Sequence, residues 1–323
     1  MPAPDPKIEL HVHLEGTVRP HTLRAIAKRN DYALPEDLES RAEFRDFAHF
    51  LDAFVLTTGA LQRYADFREL VVAYAAEAKE HGAVYIEAIF APRILHGIDT
   101  DEVFAGYCDG AQEAHELHGV EVRLTPDIPR VYTLEDALTT ARYAVKYRDS
   151  GVVGIGLGGP EEGHPPEPYA EAFALARAGG LASVPHAGES VGAESVRGAL
   201  ETLGADRIRH GVRAVEDSGL VAELAGRGTV LDVCPISNLR LGVVRSLEEH
   251  PLPQLVAAGI RCSISTDDPA IFDTDLTRDY EAAASLGVSP RAAYEAGLAG
   301  ALCDAETLER LRQMGDSHDW AGR

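Results

Sequence analysis

The stretch Lys7-Ile8-Glu9-Leu10-His11-Val12-His13 decides the fold. Its apolar residues alternate with polar ones, and it closes on two histidines at positions i and i+2. In a β-strand those positions share one face, so both imidazoles leave the strand end on the same side. Outward from this stretch the pattern recurs: a short β-rich run, then an Ala/Glu/Leu-rich stretch. The further runs are Ala83–Phe90, Val120–Thr125, Val152–Leu157, Leu181–His186, Arg207–His210, Val230–Cys234 and Arg261–Thr266. Counting Ile8–His13 as the first, there are eight. Between most of them lie stretches that can hold a helix, among them Leu134–Tyr147, Glu167–Ala178 and Gly192–Leu203. Strand–helix alternation predicts a parallel sheet. Eight such units in 323 residues predict a single-domain (β/α)8 TIM barrel spanning residues 1–323. The alternative is an open doubly wound sheet, whose usual phosphate signature is missing: no GxGxxG or Walker A motif opens a helix.

Composition narrows the function. Hydrophobic residues make up 45% and charged residues 25%, enough for a substantial core and too apolar for a disordered chain. Lys plus Arg number 30 against 52 for Asp plus Glu, a formal net charge of −22. A chain this acidic repels phosphate backbones and anionic membranes, so neither nucleic acid nor membrane is expected as a partner. Cys108, Cys234, Cys262 and Cys303 are widely spaced with no CxxC pair. That argues against a disulfide framework or a thiolate zinc site and for a reducing compartment. Cys262, beside a strand end, reads as a small core residue. Met1 to Glu9 has neither a basic n-region nor an apolar h-region, and no stretch approaches the roughly 18 uninterrupted apolar residues of a membrane span. The expectation is a soluble cytoplasmic protein. Oligomeric state has no signature here.

The connection from Leu14 to Gly82 is far longer than one helix needs. Within it Phe44, Phe47, Phe50 and Phe54 recur at helical spacing, as one apolar face. The reading is an extra helical segment after the first strand, packed on the barrel. It could form a lid over the mouth, at about residues 20–80, offering aromatic surface to a flat ligand.

A barrel keeps its chemistry at the C-terminal ends of its strands. There the chain reads His11-Val12-His13, Pro185-His186-Ala187-Gly188-Glu189, Arg209-His210-Gly211 and Ser265-Thr266-Asp267-Asp268-Pro269. A lone histidine is more often a core or surface residue, and this chain has 13. The joint pattern, at corresponding strand ends, is what points to a metal. Three histidines and an aspartate suit a borderline divalent ion, zinc first. Glu189, in the loop just above its strand, can shuttle protons beside a metal-bound water. His210 and Asp268 can orient and deprotonate that water. The constellation describes metal-assisted addition of hydroxide to an electrophilic carbon, and leaves ester, amide and ring C–N bonds open.

Lys7-Ile8-Glu9-Leu10-His11-Val12-His13-Leu14-Glu15-Gly16 resembles the opening motif of the adenosine deaminase family of the amidohydrolase superfamily. His186-Ala187-Gly188-Glu189, Arg209-His210-Gly211, Cys234-Pro235-Ile236-Ser237-Asn238 and Ser265-Thr266-Asp267-Asp268-Pro269 are similar to its remaining motifs, in order, from residue 7 to about 280. The resemblance implies that His11, His13, His186 and Asp267 hold one zinc per chain. It implies that Glu189 protonates the purine ring nitrogen next to the attacked carbon, and that His210 and Asp268 position and activate the hydroxide. The chain lacks H-x-E with P-C-x-x-C, so the cytidine-deaminase type of zinc site is excluded.

The family acts on adenosine, adenine or 6-amino-6-deoxyfutalosine, an intermediate of menaquinone synthesis. Nucleoside deaminases have a glycine matching Gly159, whose backbone meets the purine, although glycine is also the default turn residue. At Glu15 typical adenosine deaminases have an aspartate that binds the ribose 5′-hydroxyl; the longer side chain is a departure. The stretches from Gly163 to Glu167 and from Arg245 to Pro253 lean toward the adenine and futalosine branches. A nucleoside altered at its 5′ position suits these facts together, which favours 6-amino-6-deoxyfutalosine, then adenosine, then adenine. Its benzoate would call for an arginine near the mouth. Arg63, Arg93 and Arg130 are the possibilities, each otherwise an ordinary surface charge. Two other readings are weaker. A two-metal esterase or lactonase needs a bridging ligand at the end of the fourth strand, where this chain has Gly158-Gly159. A non-catalytic nucleoside-binding relative should have lost some of Glu189, His210 and Asp268.

Overall fold

The protein is described by a computed structural model over residues 4–35, 47–92 and 97–320. Its strands are β1 (Lys7–His13), β2 (Ala83–Phe90), β3 (Glu121–Pro129), β4 (Gly154–Gly158), β5 (Ala182–Ser183), β6 (His186–Ala187), β7 (Arg207–His210), β8 (Val230–Val233) and β9 (Arg261–Ile264). Each pairs in parallel with the next, in the orders β1 to β5 and β6 to β9. The pieces β5 and β6 form one barrel stave, broken at Val184-Pro185. Proline cannot donate to the ladder, but its carbonyl still accepts from the Arg209 N–H at 3.0 Å. A parallel bridge between Val12 and Asp267 joins the last strand to the first. Ser265 Oγ completes that seam, accepting from the N–H groups of Leu10 and His11 at 3.0 and 3.1 Å. The result is a (β/α)8 barrel.

The alternation that the sequence of β1 suggests is interrupted in the structure by a register shift between Glu9 and Val12. Ile8 and Leu10 point inward at the foot of the barrel and pack with Tyr85, Tyr294 and Leu311. Glu9 points outward and accepts from the Tyr74 and Thr266 hydroxyls at 2.5 and 2.7 Å. The register shift then turns His11 inward, and both are fully buried. Above that apolar foot the barrel interior is ionic. Arg207 donates to Asp232 and Glu87 at 2.6 and 2.7 Å. Arg209 pairs with Asp127, and also donates to Thr125 Oγ1 at 2.6 Å. A buried charge is tolerated only when paired and hydrogen-bonded. Strand β4 is bare on its inward face to make room. A Cβ on Gly156 would stand 2.0 Å from Asp127 Oδ1 and 2.2 Å from Arg209 Nη1.

The long first connection contains α1 (Pro20–Arg29), α2 (Phe47–Ala60) and α3 (Tyr64–Glu80). Phe44 lies outside the described residues. Phe50 and Phe54 do share a face of α2: Phe50 stacks on Phe272 at 5.2 Å, and Phe54 meets the His13 ring edge-on at 6.0 Å. The barrel's outer layer continues with α4 (Thr100–His118), α5 (Leu134–Lys146), α6 (Ala170–Ala178), α7 (Ala193–Thr202) and α8 (Ser218–Arg227). It is completed by α9 (Pro235–Arg240), α10 (Leu252–Ala257), α11 (Leu276–Ser285), α12 (Pro290–Gly300) and α13 (Ala305–Ser317). No helix among the described residues is long and apolar enough to cross a membrane.

Candidate metal centre and active site

Strand periodicity aims His11 and His13 from β1 at the barrel axis, β6 brings His186, and the turn after β9 brings Asp267. His11 Nε2 lies 3.0 Å from His186 Nε2 and 3.2 Å from Asp267 Oδ1. His13 Nε2 lies 3.1 Å from His186 Nε2 and 3.3 Å from the same Oδ1. Donor atoms at these separations suit one ion bound at about 2 Å from each. His210 is also within reach of the buried cluster formed with His11, His186 and Asp267.

The supporting groups leave lone pairs facing the centre. His186 donates from Nδ1 to the Leu157 carbonyl at 3.0 Å, with an Asp127 oxygen at 3.3 Å. His11 Nδ1 faces the Asp232 carbonyl at 3.4 Å. Each Nε2 is then free to coordinate, as outer partners of metal-bound histidines ordinarily arrange. Burial pushes the His11 pKa down to about 4 and that of His186 well below the usual range, so both rings are neutral. Burial would raise the Asp267 carboxyl, but the adjacent His11 and His13 imidazoles outweigh it and hold the group well below the usual carboxylate range. Ser237 Oγ donates to Asp267 Oδ2 at 2.6 Å. This donor set fits a divalent cation.

Glu189, His210 and Asp268 line one pocket together with His13, His186 and Asp267. His210 Nε2 is 3.5 Å from Glu189 Oε1. Burial, then the charges of Asp267 and Glu161, push the Glu189 carboxyl well above the usual carboxylate range. Burial and the neighbouring Asp267 do the same to Asp268. Two site residues sit in the left-handed region although neither is glycine: His210 at φ 60° and Asp267 at φ 66°. Strain of this kind gathers at functional sites. Gly16 permits a close approach, since a Cβ there would lie 1.9 Å from Asp268 Oδ1. Gly16→Ala is accordingly expected to push Asp268 aside and lower kcat by about a hundredfold, the order of effect of a 1 Å displacement. Metal content, measured alongside by mass spectrometry, should not change.

The substrate-side residues fall differently from expectation. Gly159 lines the pocket, but a Cβ there would meet only the Arg130 nitrogen at 3.6 Å. Its φ of 89°, not lack of space, demands glycine. The Glu15 carboxylate is buried and turned to the Ala91 N–H and the Tyr107 hydroxyl, at 3.0 and 3.1 Å. It is not among the pocket-lining groups. Arg130 is a buried strut that donates to the His186 carbonyl at 2.7 Å. Arg63 donates to the Arg29 carbonyl at 3.2 Å. Arg93 lies outside the described residues. Among the described residues no Arg or Lys lines the pocket; its mouth is apolar, with Phe50, Leu51, Phe54, Val55, Val131 and Leu241.

Glu161 has a role that the sequence alone does not assign. Its carboxylate accepts from the N–H groups of Gly188, Glu189 and Ser190 at 2.9, 2.8 and 2.9 Å, and from the Ser195 hydroxyl. It thereby pins the loop that carries Glu189. An acid among glycines just beyond a strand end was the available signal. Asp127 gave none, because its partners His186 and Arg209 are remote in sequence.

A profile of the adenosine deaminase family matches residues 6–313. The aminodeoxyfutalosine deaminase of Acidothermus cellulolyticus is 51% identical over 328 residues, covering 98% of this chain and 92% of that protein. Among solved structures, adenine deaminase from Arthrobacter aurescens superposes with a TM-score of 0.91 at 30% identity, covering 96% and 98% of the two chains. An amidohydrolase from Burkholderia ambifaria with bound zinc gives 0.89 at 27% identity, covering 97% and 90%. Fold and site together define a hydrolytic deaminase on an amidohydrolase barrel. The chain belongs to the adenosine deaminase family.

Proposed function

We propose that the protein is a cytoplasmic, zinc-dependent deaminase of a 6-aminopurine nucleoside, 6-amino-6-deoxyfutalosine foremost, acting in menaquinone synthesis. The observation that carries the chemistry is the convergence of four donor atoms at 3.0–3.3 Å beside three further acid–base groups. His11, His13, His186 and Asp267 hold one zinc. When bound, the metal supplies Lewis-acid activation of water. Glu189, kept protonated by its surroundings, gives its proton to the ring nitrogen beside the amine-bearing carbon, which becomes electrophilic. Asp268, which the charge of a bound cation beside it would return to its ionised form, takes a proton from the attacking water, and His210 steadies the oxygen as the carbon becomes tetrahedral. Asp268 passes its proton to the amine, which leaves as ammonia, and the remaining hydroxyl proton returns to Glu189 as the ring carbonyl forms. Gly159 shapes the side of the pocket toward the sugar, Glu15 holds the pocket-lining Ala91 from behind through its N–H, and α2 serves as the lid.

The substrate choice is supported by the likeness to the Acidothermus enzyme. It also suits the mouth, where Val55 and Val131 are 59% and 63% exposed. Apolar side chains left open at a pocket rim gain from a ligand long enough to cover them, and free adenine is too short. The test is a deamination panel of adenosine, 2′-deoxyadenosine, adenine and 6-amino-6-deoxyfutalosine with zinc-loaded protein, read as kcat/KM from the ultraviolet change. The futalosine derivative should lead by at least about tenfold, the gain from one added apolar contact. A lead for adenine or adenosine would move the enzyme to purine salvage.

A further inference from the structure

We infer that Asn238 and His250 are positioning residues that lock His210 as the tautomer with its proton on Nε2, so that His210 acts as a hydrogen-bond donor and not as a base. The inference rests on the assignment of His210 to the reaction made above. It begins at a group with only one possible role. The backbone N–H of Leu252 points at His250 Nδ1 at 3.0 Å, and a backbone N–H can only donate. His250 Nδ1 therefore accepts. Burial keeps this ring neutral, with its pKa pushed down to about 4, so its proton sits on Nε2. That nitrogen lies 3.1 Å from Asn238 Oδ1, which accepts. The Asn238 amide nitrogen is thereby turned to His210 Nδ1, 3.3 Å away, and donates. His210 Nδ1 is occupied as an acceptor, and its proton stands on Nε2, facing Glu189 Oε1 at 3.5 Å.

All three side chains are buried, so water does not compete for these bonds. A neutral imidazole that already carries its proton on the reacting side cannot take another from water there. It can donate to an oxygen on which negative charge develops. Proton abstraction then falls to Asp268. The order of donors is set at the start of α10 and reaches the active site through two side chains that touch no substrate.

The relay is reversible by design. Asn238→Asp accepts from both sides and moves the His210 proton to Nδ1. Holding a catalytic histidine in the wrong tautomer costs about 10⁴-fold in kcat in a serine-protease triad. A loss of roughly 10³- to 10⁴-fold is expected here, with KM and zinc content little changed. His250→Gln keeps the direction, its carbonyl accepting from Leu252 and its amide donating to Asn238, and should retain most of the activity. His250→Glu accepts from Asn238, turns that amide over and should behave like Asn238→Asp. The tautomer itself is read by long-range ¹H–¹⁵N correlation on zinc-loaded protein labelled in its histidine rings. The His210 signals are those lost in His210→Asn. A proton on Nε2 supports the relay. A proton on Nδ1, or wild-type kcat in both Asn238→Asp and His250→Glu, overturns it. If Asn238→Asp fails to fold, the wild-type spectrum and the His250 pair decide. Wild-type protein that deaminates nothing in the panel would defeat the functional reading, while the spectrum would still judge the relay.

Discussion

Glu189→Gln is expected to leave zinc bound and to stop turnover. The side chain keeps its shape and lies outside the donor cluster, so metal content measured by mass spectrometry should equal that of the wild type. What is lost is a proton. A positioned general acid contributes about 10²- to 10⁴-fold, and the ring carbon here is a poor electrophile until its neighbouring nitrogen is protonated. The sign of the pH dependence follows from the environment. Burial, then Asp267 and Glu161, raise the Glu189 carboxyl above its ordinary range. The protonated, competent form therefore persists below that raised pKa and is lost as the pH climbs through it. The kcat/KM profile should fall on its alkaline side. Full activity in Glu189→Gln would mean that another group supplies the proton.

Losing the metal should cost more still. Asp267→Asn is the informative substitution, because asparagine tolerates the left-handed conformation found at this position. The chain should fold, yet zinc content should drop from one per chain toward zero and deamination should vanish. A chelator applied to the wild type should give the same enzyme, and zinc should restore it. Stability ought to follow. A ligand that binds only the folded state, present at a thousand times its dissociation constant, contributes about 4 kcal/mol. Calorimetry should therefore show a clearly lower Tm without metal. Two metals per chain in the wild type would reopen the esterase reading; undiminished zinc in Asp267→Asn would remove Asp267 from the ligand set.

Much of this molecule is legible in its sequence because strand ends carry period-2 information. Arg207–His210 is a strand with those bounds, and His11 and His13 share a face because they are two residues apart. The departures have local causes. Val120–Thr125 reads as ending where Pro126 begins, yet β3 runs to Pro129. The proline sits where the strand exchanges β2 for β4 as its partner, a place that needs no donor. Leu181–His186 reads as continuous but breaks at Pro185, for the reason that the ring offers no N–H. At Gly159 the backbone angle requires glycine, in line with its reading as a turn residue. Arg130 reads as a benzoate partner or an ordinary surface charge, and only the fold reveals the His186 carbonyl it supports. The Asn238–His250 relay lies in stretches that were quoted for family resemblance. Its meaning depends on which hydrogen-bond partner comes first, and that is a tertiary fact.

His210 and Asp267 hold their left-handed backbone because the chemistry needs their side chains there. Each such residue costs the fold on the order of 1–3 kcal/mol. Selection for thermal robustness alone, in a laboratory population freed from any need to deaminate, would replace them with glycine or asparagine and gain stability at once. The same drift in a natural lineage would leave a sturdier barrel with a silent mouth. Glycine at either position in a relative would thus read as a record of abandoned catalysis, written in backbone geometry before the rest of the pocket decays.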